Sequence, residues 1–310
     1  MRGGMRSEAT QLKLFAEPEP LDEIGDQAPF VGETFKTQLL KWIGNKQRVA
    51  PAIIKYFPAR FHAYHEPFLG SGGVLGVLAP RRAFGSDGFK SLIGIWQALA
   101  DDPEELKRWY AERWKFSKSG KKVAQFEAIK ARYNLQPNAP DLLFIARACY
   151  GGVVRFRMKD SGISTPCGVH EPISPESFNL RVDLWHRRVG HAKFECLDFR
   201  EAIERAKAGD LVYCDPPYVD TQAILYGAQA FRVKDLFDVL ARAKARGVFV
   251  AVSIDGTKKS GEHYSNVPIP HGLFEHEIMI DCGRSMLRRF QREGEELHDE
   301  VVKDRLLLTY

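Results

Sequence analysis

The sequence predicts an α/β protein whose sheet is assembled from two separate stretches of the chain. Short apolar segments typical of strands alternate with amphipathic helices up to about residue 104, and the alternation returns after residue 193. The residues between them show basic, helical patterns instead. We therefore expect one α/β domain formed by residues 34–104 and 194–310, with residues 105–193 inserted as a mainly helical region.

The first piece follows a tail, residues 1–33, which is rich in Pro, Glu, Asp and Gly and has little periodicity, so we expect it to be mobile. A helix is predicted after Lys46, ending near Pro58. A strand in residues 61–68 runs into a glycine turn and a short helix. A second strand, residues 82–87, precedes another helix.

The second piece repeats this alternation and ends in two strands that we expect to pair antiparallel. Strands are predicted at 193–198, 211–215 and 248–255, helices at 199–208 and 233–247, and the closing strands at 274–281 and 304–310. The charged stretch between the closing strands is interpreted as a loop.

The inserted region begins with two predicted helices, residues 103–116 and 121–134. Residues 141–168 mix Arg, Gly and aromatic side chains without a simple period. They are interpreted as a helix that enters a loop or hairpin.

Composition is ordinary for a globular protein, with 44% hydrophobic and 27% charged residues in a chain of 310. No apolar run approaches the roughly 18 residues of a membrane span, and the N-terminus lacks a secretory apolar core. Five scattered cysteines without a Cys-x-x-Cys pair indicate reduced thiols and a cytoplasmic location. We expect a monomer or weak dimer without membrane contact.

Positive charge is concentrated in the inserted region. Residues 107–193 hold 17 Lys or Arg against 7 Asp or Glu, whereas the whole chain has a net charge of +5. A basic segment within a mildly acidic frame is typical of proteins that meet a polyanion such as a nucleic acid. A solvated helical surface without such a partner is the alternative.

A glycine turn joins the first predicted strand to its helix. Gly70, Gly72 and Gly73 lie in EPFLGSGG, and Asp87 ends the next strand, 17 residues after Gly70. Glycine lets the backbone approach a ligand closely, and ligands bind at the carboxyl ends of strands in open α/β sheets. An acid at Asp87 is suited to ribose hydroxyls, so an adenosine-containing cofactor fits. Leu75 replaces the third Gly of a dinucleotide fingerprint, and a purely structural turn stays an alternative.

The predicted strand LVYC runs directly into Asp-Pro-Pro-Tyr, residues 215–218. Two prolines remove amide donors, so the surface offers the Asp215 carboxylate and the Pro216 carbonyl as acceptors beside the Tyr218 ring. This combination suits a planar base with an exocyclic amine. Two hydrogen bonds localise the amine lone pair and aim it at an electrophile such as a sulfonium methyl. The alternative is a Pro-rich end of an edge strand.

Three motifs in this order resemble those of the Dam-like, D12-class DNA adenine-N6 methyltransferases: KWIGNK at Lys41–Lys46, EPFLGSG at Glu66–Gly72 and DPPY at Asp215–Tyr218. The resemblance implies a Rossmann-like methyltransferase sheet with an inserted target-recognition domain. It implies methyl transfer from S-adenosylmethionine, without a metal, to an adenine flipped out of a specific duplex DNA sequence. It also implies a prokaryotic or phage source and a restriction–modification system with a cognate endonuclease.

The same resemblance assigns roles to the matching residues. The residues expected around the cofactor are Trp42, Lys46, Glu66, Pro67, Phe68, Gly70, Gly72, Asp87 and Asp215. The residues expected to hold the target adenine are Asp215, Pro216, Pro217 and Tyr218. For Trp42 and Lys46, roles as a core aromatic residue and a surface charge stay open.

The inserted region is expected to supply the contacts to DNA. The amine of a paired adenine lies within the base stack, so the base must be flipped out while phosphate contacts position the protein. The residues expected to face DNA are Lys115, Lys118, Lys121, Lys122, Arg155, Arg157 and Lys159. Lysines on an ordinary helical surface give a similar pattern.

Several departures from the family pattern leave the target sequence open. Ser86–Phe89 replaces a frequent Asp-Ile-Asn, and Tyr150 and Gly151 replace Phe-Asn. One alternative function is methyl transfer to RNA adenine or another planar amine, and another is a non-catalytic DNA-binding module. A nicotinamide dehydrogenase would leave Asp-Pro-Pro-Tyr unexplained.

Overall fold

The computed structural model describes residues 35–115, 121–157, 159–217, 231–258, 263–264, 267–284 and 301–310. The strands are β1 (Tyr64–Glu66), β2 (Ala83–Asp87), β3 (Lys193–Cys196), β4 (Leu211–Cys214), β5 (Phe249–Lys258), β6 (His263–Tyr264), β7 (His276–Arg284) and β8 (Val301–Leu308). The helices are α1 (Ala50–Ile54), α2 (Gly73–Leu78), α3 (Lys90–Asp101), α4 (Pro103–Trp114), α5 (Lys122–Leu135), α6 (Ala139–Ala148), α7 (Pro175–Val189), α8 (Phe199–Glu204) and α9 (Val233–Ala245).

These strands form one sheet in the order β3-β2-β1-β4-β5-β8-β7, and the short β6 pairs with the end of β5. The strands β3, β2, β1, β4 and β5 all run parallel to one another, whereas β8 runs antiparallel to both β5 and β7. Helices α2 and α9 connect consecutive parallel strands. The predicted α/β class and the antiparallel closing pair are confirmed.

The sheet is buried on both faces, as the apolar run LVYC predicts. Leu211 and Tyr213 join a large hydrophobic cluster on one side, and Val212 and Cys214 join a smaller cluster on the other. Because successive side chains of a strand point to opposite faces, one four-residue strand contributes to both clusters.

The ends of two predicted elements differ from the structure. The first strand covers Tyr64–Glu66 only, since Pro67 lacks the amide donor needed to continue the ladder. The helix predicted after Lys46 covers only Ala50–Ile54 and begins with Pro51 in its first turn. The predicted tail, and most of the loop predicted between the closing strands, lie outside the described residues.

Helices α4 to α7 pack in the same hydrophobic cluster as α3 and the sheet. Helix α7 is missing from the sequence-based prediction although its signal is present. Ser174 accepts a hydrogen bond from the Ser177 amide at its start, and Phe178, Val182 and Trp185 form a buried stripe at helical spacing. A separate target-recognition role for residues 105–193 stays a prediction.

Residues 141–168 form helix α6, a 3-10 turn at Tyr150–Gly152 and a hairpin-like loop. An isolated antiparallel bridge joins Phe156 to Ile163, and a second joins Cys149 to Cys167. The prediction of a helix that enters a loop or hairpin agrees with these elements.

The buried Asp141 carboxylate connects three elements of the helical region. It accepts hydrogen bonds from Arg113 Nε on α4 and Arg132 Nε on α5, each at 2.7 Å, and from Asn138 at the start of α6. We expect Asp141→Ala to lower the free energy of unfolding by about 3 kcal/mol, since it leaves two guanidinium groups without their carboxylate. Chemical denaturation measures this loss.

The matched control is Asp183→Ala, which removes an exposed acid 2.6 Å from Lys107 and should cost about 1 kcal/mol or less. Equal losses in the two variants would contradict the structural importance given to Asp141.

Candidate functional site

The site lies where the strand order reverses. β1 pairs with β2 on one side and with β4 on the other, so the chain leaves the carboxyl ends of β1 and β4 in different directions. In open α/β sheets such a reversal leaves a crevice that binds ligands. A cavity of about 530 Å³ opens at this place.

Most of the predicted cofactor and catalytic residues line this cavity. They are Trp42, Lys46, Glu66, Pro67, Phe68, Gly70, Asp87, Asp215 and Pro217. Gly72 and Pro216 are buried and are not among the lining residues. Tyr218 lies outside the described residues.

The glycine turn depends on glycine at two positions. Gly70 and Gly72 have φ of 47° and 61°, a region that favours glycine. A Cβ on Gly72 would lie 2.9 Å from the Trp96 ring, while Trp96 Nε1 donates a 3.0 Å hydrogen bond to the Gly70 carbonyl. The turn is therefore fixed against α3 and presents its backbone to the cavity.

Asp87 holds the turn from the neighbouring strand. Its Oδ2 accepts a 3.1 Å hydrogen bond from the Gly70 amide, and its Oδ1 accepts a 3.0 Å hydrogen bond from the Phe89 amide. Burial raises the pKa of Asp87 to about 6, and the two amide hydrogen bonds partly oppose this rise. Because each carboxylate oxygen has two lone pairs, Asp87 keeps acceptor capacity for hydroxyl groups of a ligand.

Glu66 is a second buried acid of the cavity wall. Its Oε2 accepts hydrogen bonds from the Tyr64 hydroxyl at 2.8 Å and from the Leu75 amide at 2.9 Å. Burial raises the pKa of Glu66 to about 8, these hydrogen bonds oppose the rise, and the charge of Asp215 adds to it. At neutral pH Glu66 is therefore mostly protonated in the ligand-free protein.

Lys46 lies between two carboxylates. Its Nζ is 3.0 Å from Asp215 Oδ1 and 3.2 Å from Asp304 Oδ2. Burial lowers the pKa of Lys46, but the charges of Asp215 and Asp304 outweigh burial, so the pKa is raised and the ammonium stays charged. The sequence pointed to Lys46 and Asp215 but gave no signal for Asp304.

An aromatic cluster forms one wall. Phe68, after β1, stacks on Phe199 with ring centroids 5.2 Å apart, and Phe231 meets both rings edge-on or steeply tilted. Phe199 follows Asp198, which lines the cavity at the carboxyl end of β3. The sequence-based site missed Asp198, Phe199 and Phe231, although Asp198 follows β3 much as Asp87 ends β2.

The hairpin of the inserted region forms the opposite wall. Phe156 and Ser161 line the cavity, and Phe156 contacts Phe89 edge-on with centroids 5.3 Å apart. Arg155 and Lys159 are exposed on the same hairpin. Two residues predicted to face DNA are therefore next to the cavity in the chain and in space.

Arg157 and Lys122, also predicted to face DNA, make hydrogen bonds within the chain. The Arg157 guanidinium pairs with Asp160 at 2.9 Å, and Lys122 Nζ donates to the carbonyls of Val169 and His170. Lys115 and Lys121 are exposed on either side of residues 116–120. Lys118 lies outside the described residues, and DNA contact by all of these side chains stays a prediction.

All five cysteines are free thiols. No helix in the described part of the chain has the length and apolar content needed to cross a membrane. Among the same residues, no group of three or more His, Cys, Asp or Glu is arranged to hold a metal ion.

Comparison with known proteins agrees with the site. Among solved structures, an rRNA methyltransferase from Streptomyces viridochromogenes is 13% identical, covers 92% of this chain and 90% of its own, and gives a TM-score of only 0.32. Curated relatives align more informatively. A type II methyltransferase of Lactococcus lactis subsp. cremoris is 26% identical over 74% of this chain and 84% of its own length.

A DNA adenine methylase of Vibrio cholerae is 26% identical over 73% of this chain and 83% of its own length. A retron DNA adenine methylase of Escherichia coli is 27% identical over 80% and 87%. The model of the D12 class N6 adenine-specific DNA methyltransferases matches residues 42–276, which include the three motifs except Lys41, the first residue of KWIGNK. The chain belongs to this D12 class of N6 adenine-specific DNA methyltransferases.

Proposed function

We propose that this chain transfers the methyl group of S-adenosylmethionine to the N6 amine of an adenine extruded from duplex DNA. One observation carries the proposal: the glycine turn, Asp87 and the start of the Asp-Pro-Pro motif, with Asp215 and Pro217, line a single cavity. Its volume of about 530 Å³ is in the range of pockets that hold molecules of nucleoside size. Cofactor and target amine would thus meet at the carboxyl ends of β1 and β4.

The lining fits a cationic nucleoside. The ring of Phe68 with Phe199 and Phe231 offers apolar surface for a purine, and Asp87 offers acceptors for ribose hydroxyls. Glu66 and Asp215 supply carboxyl groups for the positively charged end. When bound, S-adenosylmethionine supplies an electrophilic methyl carbon on a sulfonium.

Asp215 is the residue proposed to act on the target amine. Its carboxylate accepts a hydrogen bond from the amine and helps to localise the nitrogen lone pair, with the Pro216 carbonyl as the second acceptor. As the nitrogen bonds to the methyl carbon, the carbon–sulfur bond would break and leave a neutral thioether. The nitrogen would then become acidic, and Asp215 would take up its proton. Lys46, 3.0 Å from Asp215, gives that carboxylate a positively charged partner beforehand. Positioning of this kind accounts for most of the expected acceleration.

The hairpin beside the cavity is proposed to meet the DNA backbone. Arg155 and Lys159 are exposed there, and the base that enters the cavity must come from a duplex held at this surface. The similarity to a type II methyltransferase favours a cognate restriction endonuclease as a partner in the same system.

The first prediction concerns the proposed catalytic carboxylate. Asp215→Ala should lower the single-turnover rate of methyl transfer by at least about 1,000-fold, because the amine loses its charged acceptor. Its Kd for duplex DNA should stay within about twofold. Asp238→Ala, which removes an exposed acid on α9 paired with Lys234, is the control and should keep the wild-type rate. A near-wild-type rate in Asp215→Ala would refute the assigned role.

The second prediction concerns the buried acid Glu66. Its pKa is about 8 in the folded chain and near 4.5 without the fold, so folding retains a proton that unfolding releases. The stability that this proton contributes is lost as the pH rises toward 8. Between pH 6.5 and 8 the ligand-free protein should lose about 1–2 kcal/mol of unfolding free energy from this residue.

Glu66→Gln keeps an acceptor for the Tyr64 hydroxyl but does not ionise, so it should remove this fall. Denaturant titrations at the two pH values measure the fall in unfolding free energy. Both pH values lie above the pKa of Asp87, which is about 6. Glu195→Gln, which changes an exposed acid paired with Arg205, should leave the fall unchanged. The same fall in Glu66→Gln would show that another group causes it.

The third prediction concerns DNA contact. Affinity for duplex DNA should decrease steeply with salt, and Arg155→Ala or Lys159→Ala should each reduce the slope of log K against log salt by about 0.9 if the side chain neutralises one phosphate. Fluorescence anisotropy at four salt concentrations gives the slope. Lys207→Ala, which removes an exposed lysine before the amino end of β4, is the control and should leave the slope unchanged.

A further inference from the structure

We propose that Asp304 is a positioning residue for methyl transfer: it holds the Lys46 ammonium against Asp215 and so fixes the orientation of that carboxylate. The inference rests on the proposed function of Asp215. Asp304 is not among the described residues that line the cavity, whereas Lys46 and Asp215 are. Asp304 therefore acts through Lys46 and touches neither the amine nor the cofactor.

The geometry places one ammonium between two carboxylates. Lys46 Nζ is 3.0 Å from Asp215 Oδ1 and 3.2 Å from Asp304 Oδ2. The side chains of Lys46 and Asp304 are 10% and 9% exposed, and that of Asp215 is 17% exposed. Both contacts are thus shielded from water. Charge-assisted hydrogen bonds are strongest when they are shielded in this way.

The three side chains differ in how firmly the backbone holds them. Asp304 belongs to β8, which is paired on both sides, opposite Asp255 of β5 and Ile280 of β7. Lys46 follows a turn before α1 and has a flexible four-carbon stem. Asp215 begins the loop after β4. The contact with β8, the most rigid of the three elements, therefore fixes the position of the ammonium. The ammonium in turn fixes the orientation of the Asp215 carboxylate.

The consequence for the reaction follows from sharing one cation. With both carboxylates present, Lys46 divides its donors between Asp215 and Asp304. Without Asp304, Lys46 loses the contact with β8 that fixes its place, and the Asp215 carboxylate loses its fixed orientation toward the target amine. This loss of orientation weakens Asp215 as an acceptor for the amine and its proton.

A purely structural ion pair is the alternative, and the neighbouring position provides its control. Arg305 follows Asp304 on β8 and pairs with Glu277 of β7, with Nε 2.7 Å from Oε1. Because successive strand residues point to opposite faces, this pair lies on the other side of the sheet. Glu277→Gln therefore breaks a charge pair between β7 and β8 without changing the side chains that contact Lys46.

The experiment compares Asp304→Asn, Glu277→Gln, Lys46→Met and the double variant Lys46→Met/Asp304→Asn. Single-turnover methyl transfer is measured with saturating S-adenosylmethionine and saturating duplex DNA, together with the Kd for that DNA. We expect Asp304→Asn to lower the rate by about 10- to 100-fold with the DNA Kd within about twofold. Glu277→Gln should keep the rate within about twofold.

The double variant tests whether Asp304 acts through Lys46. Once the ammonium is gone, adding Asp304→Asn should change the rate by less than about twofold. A wild-type rate in Asp304→Asn, an equal loss in Glu277→Gln, or losses that multiply in the double variant would each overturn the inference. If Asp304→Asn does not fold, a rate that differs by more than about twofold between Lys46→Met and the double variant still overturns the inference, since neither contains the ammonium.

A spectroscopic readout separates this inference from the proposed function. The Nζ protons of a shielded, paired lysine exchange slowly enough to give a ¹H–¹⁵N signal, which Lys46→Met assigns. The signal should persist in Glu277→Gln and be lost or shifted in Asp304→Asn, without any DNA present. A wild-type protein that methylates no DNA refutes the proposed function alone, whereas an unchanged Lys46 signal in Asp304→Asn refutes the positioning role.

Discussion

The site depends on one topological constraint, the reversal of strand order between β1 and β4. Because these strands are neighbours but their connections run to opposite sides, the two loops at their carboxyl ends separate and leave a crevice. One loop holds Glu66 to Gly70, and the other begins with Asp215. No other pair of adjacent parallel strands in the described sheet brings two such loops together. This explains why one motif follows β1 in the sequence and another follows β4.

The crevice concentrates carboxyl groups, and the chain limits their mutual repulsion in different ways. Burial keeps Glu66 largely protonated at neutral pH, with the Tyr64 hydroxyl and the Leu75 amide on one oxygen. Asp215 is balanced by the ammonium of Lys46 instead. One acid is thus mostly protonated, and another is paired with a cation, within the same cavity. This difference permits a charged acceptor at the proposed reaction centre without several uncompensated negative charges beside it.

Much of the site could be predicted from sequence because its residues follow strand ends, which short apolar runs mark. Trp42, Lys46, Asp87 and Asp215 belong to motifs with local signatures, and the structure brings them to one cavity. Asp304 could not be found this way. It lies in the middle of an antiparallel strand whose neighbours are not adjacent in sequence, so its contact with Lys46 exists only after the sheet has formed.

Helix α7 and the end of β1 show two other limits of sequence-based prediction. The apolar stripe of α7 was available, but its Arg-rich surface and the irregular segment before it obscured the period. The alternation through residues 61–68 predicted a longer β1, although Pro67 makes Glu66 the last residue able to take part fully in the ladder. The periodicity of hydrophobic residues thus predicted the presence of helices and strands better than it predicted their ends.

The segment before Trp42 links two helices of the inserted stretch to the loop that holds Lys46. The Leu39 carbonyl accepts a 2.8 Å hydrogen bond from the buried Arg147 of α6, and the Thr37 carbonyl accepts one of 2.8 Å from Trp185 of α7. Gln47, next to Lys46, donates to that same Thr37 carbonyl at 3.0 Å. The loop of Lys46 is therefore anchored on two helices of the inserted stretch as well as on β8 through Asp304. These hydrogen bonds give the two parts of the chain a physical reason to share one core.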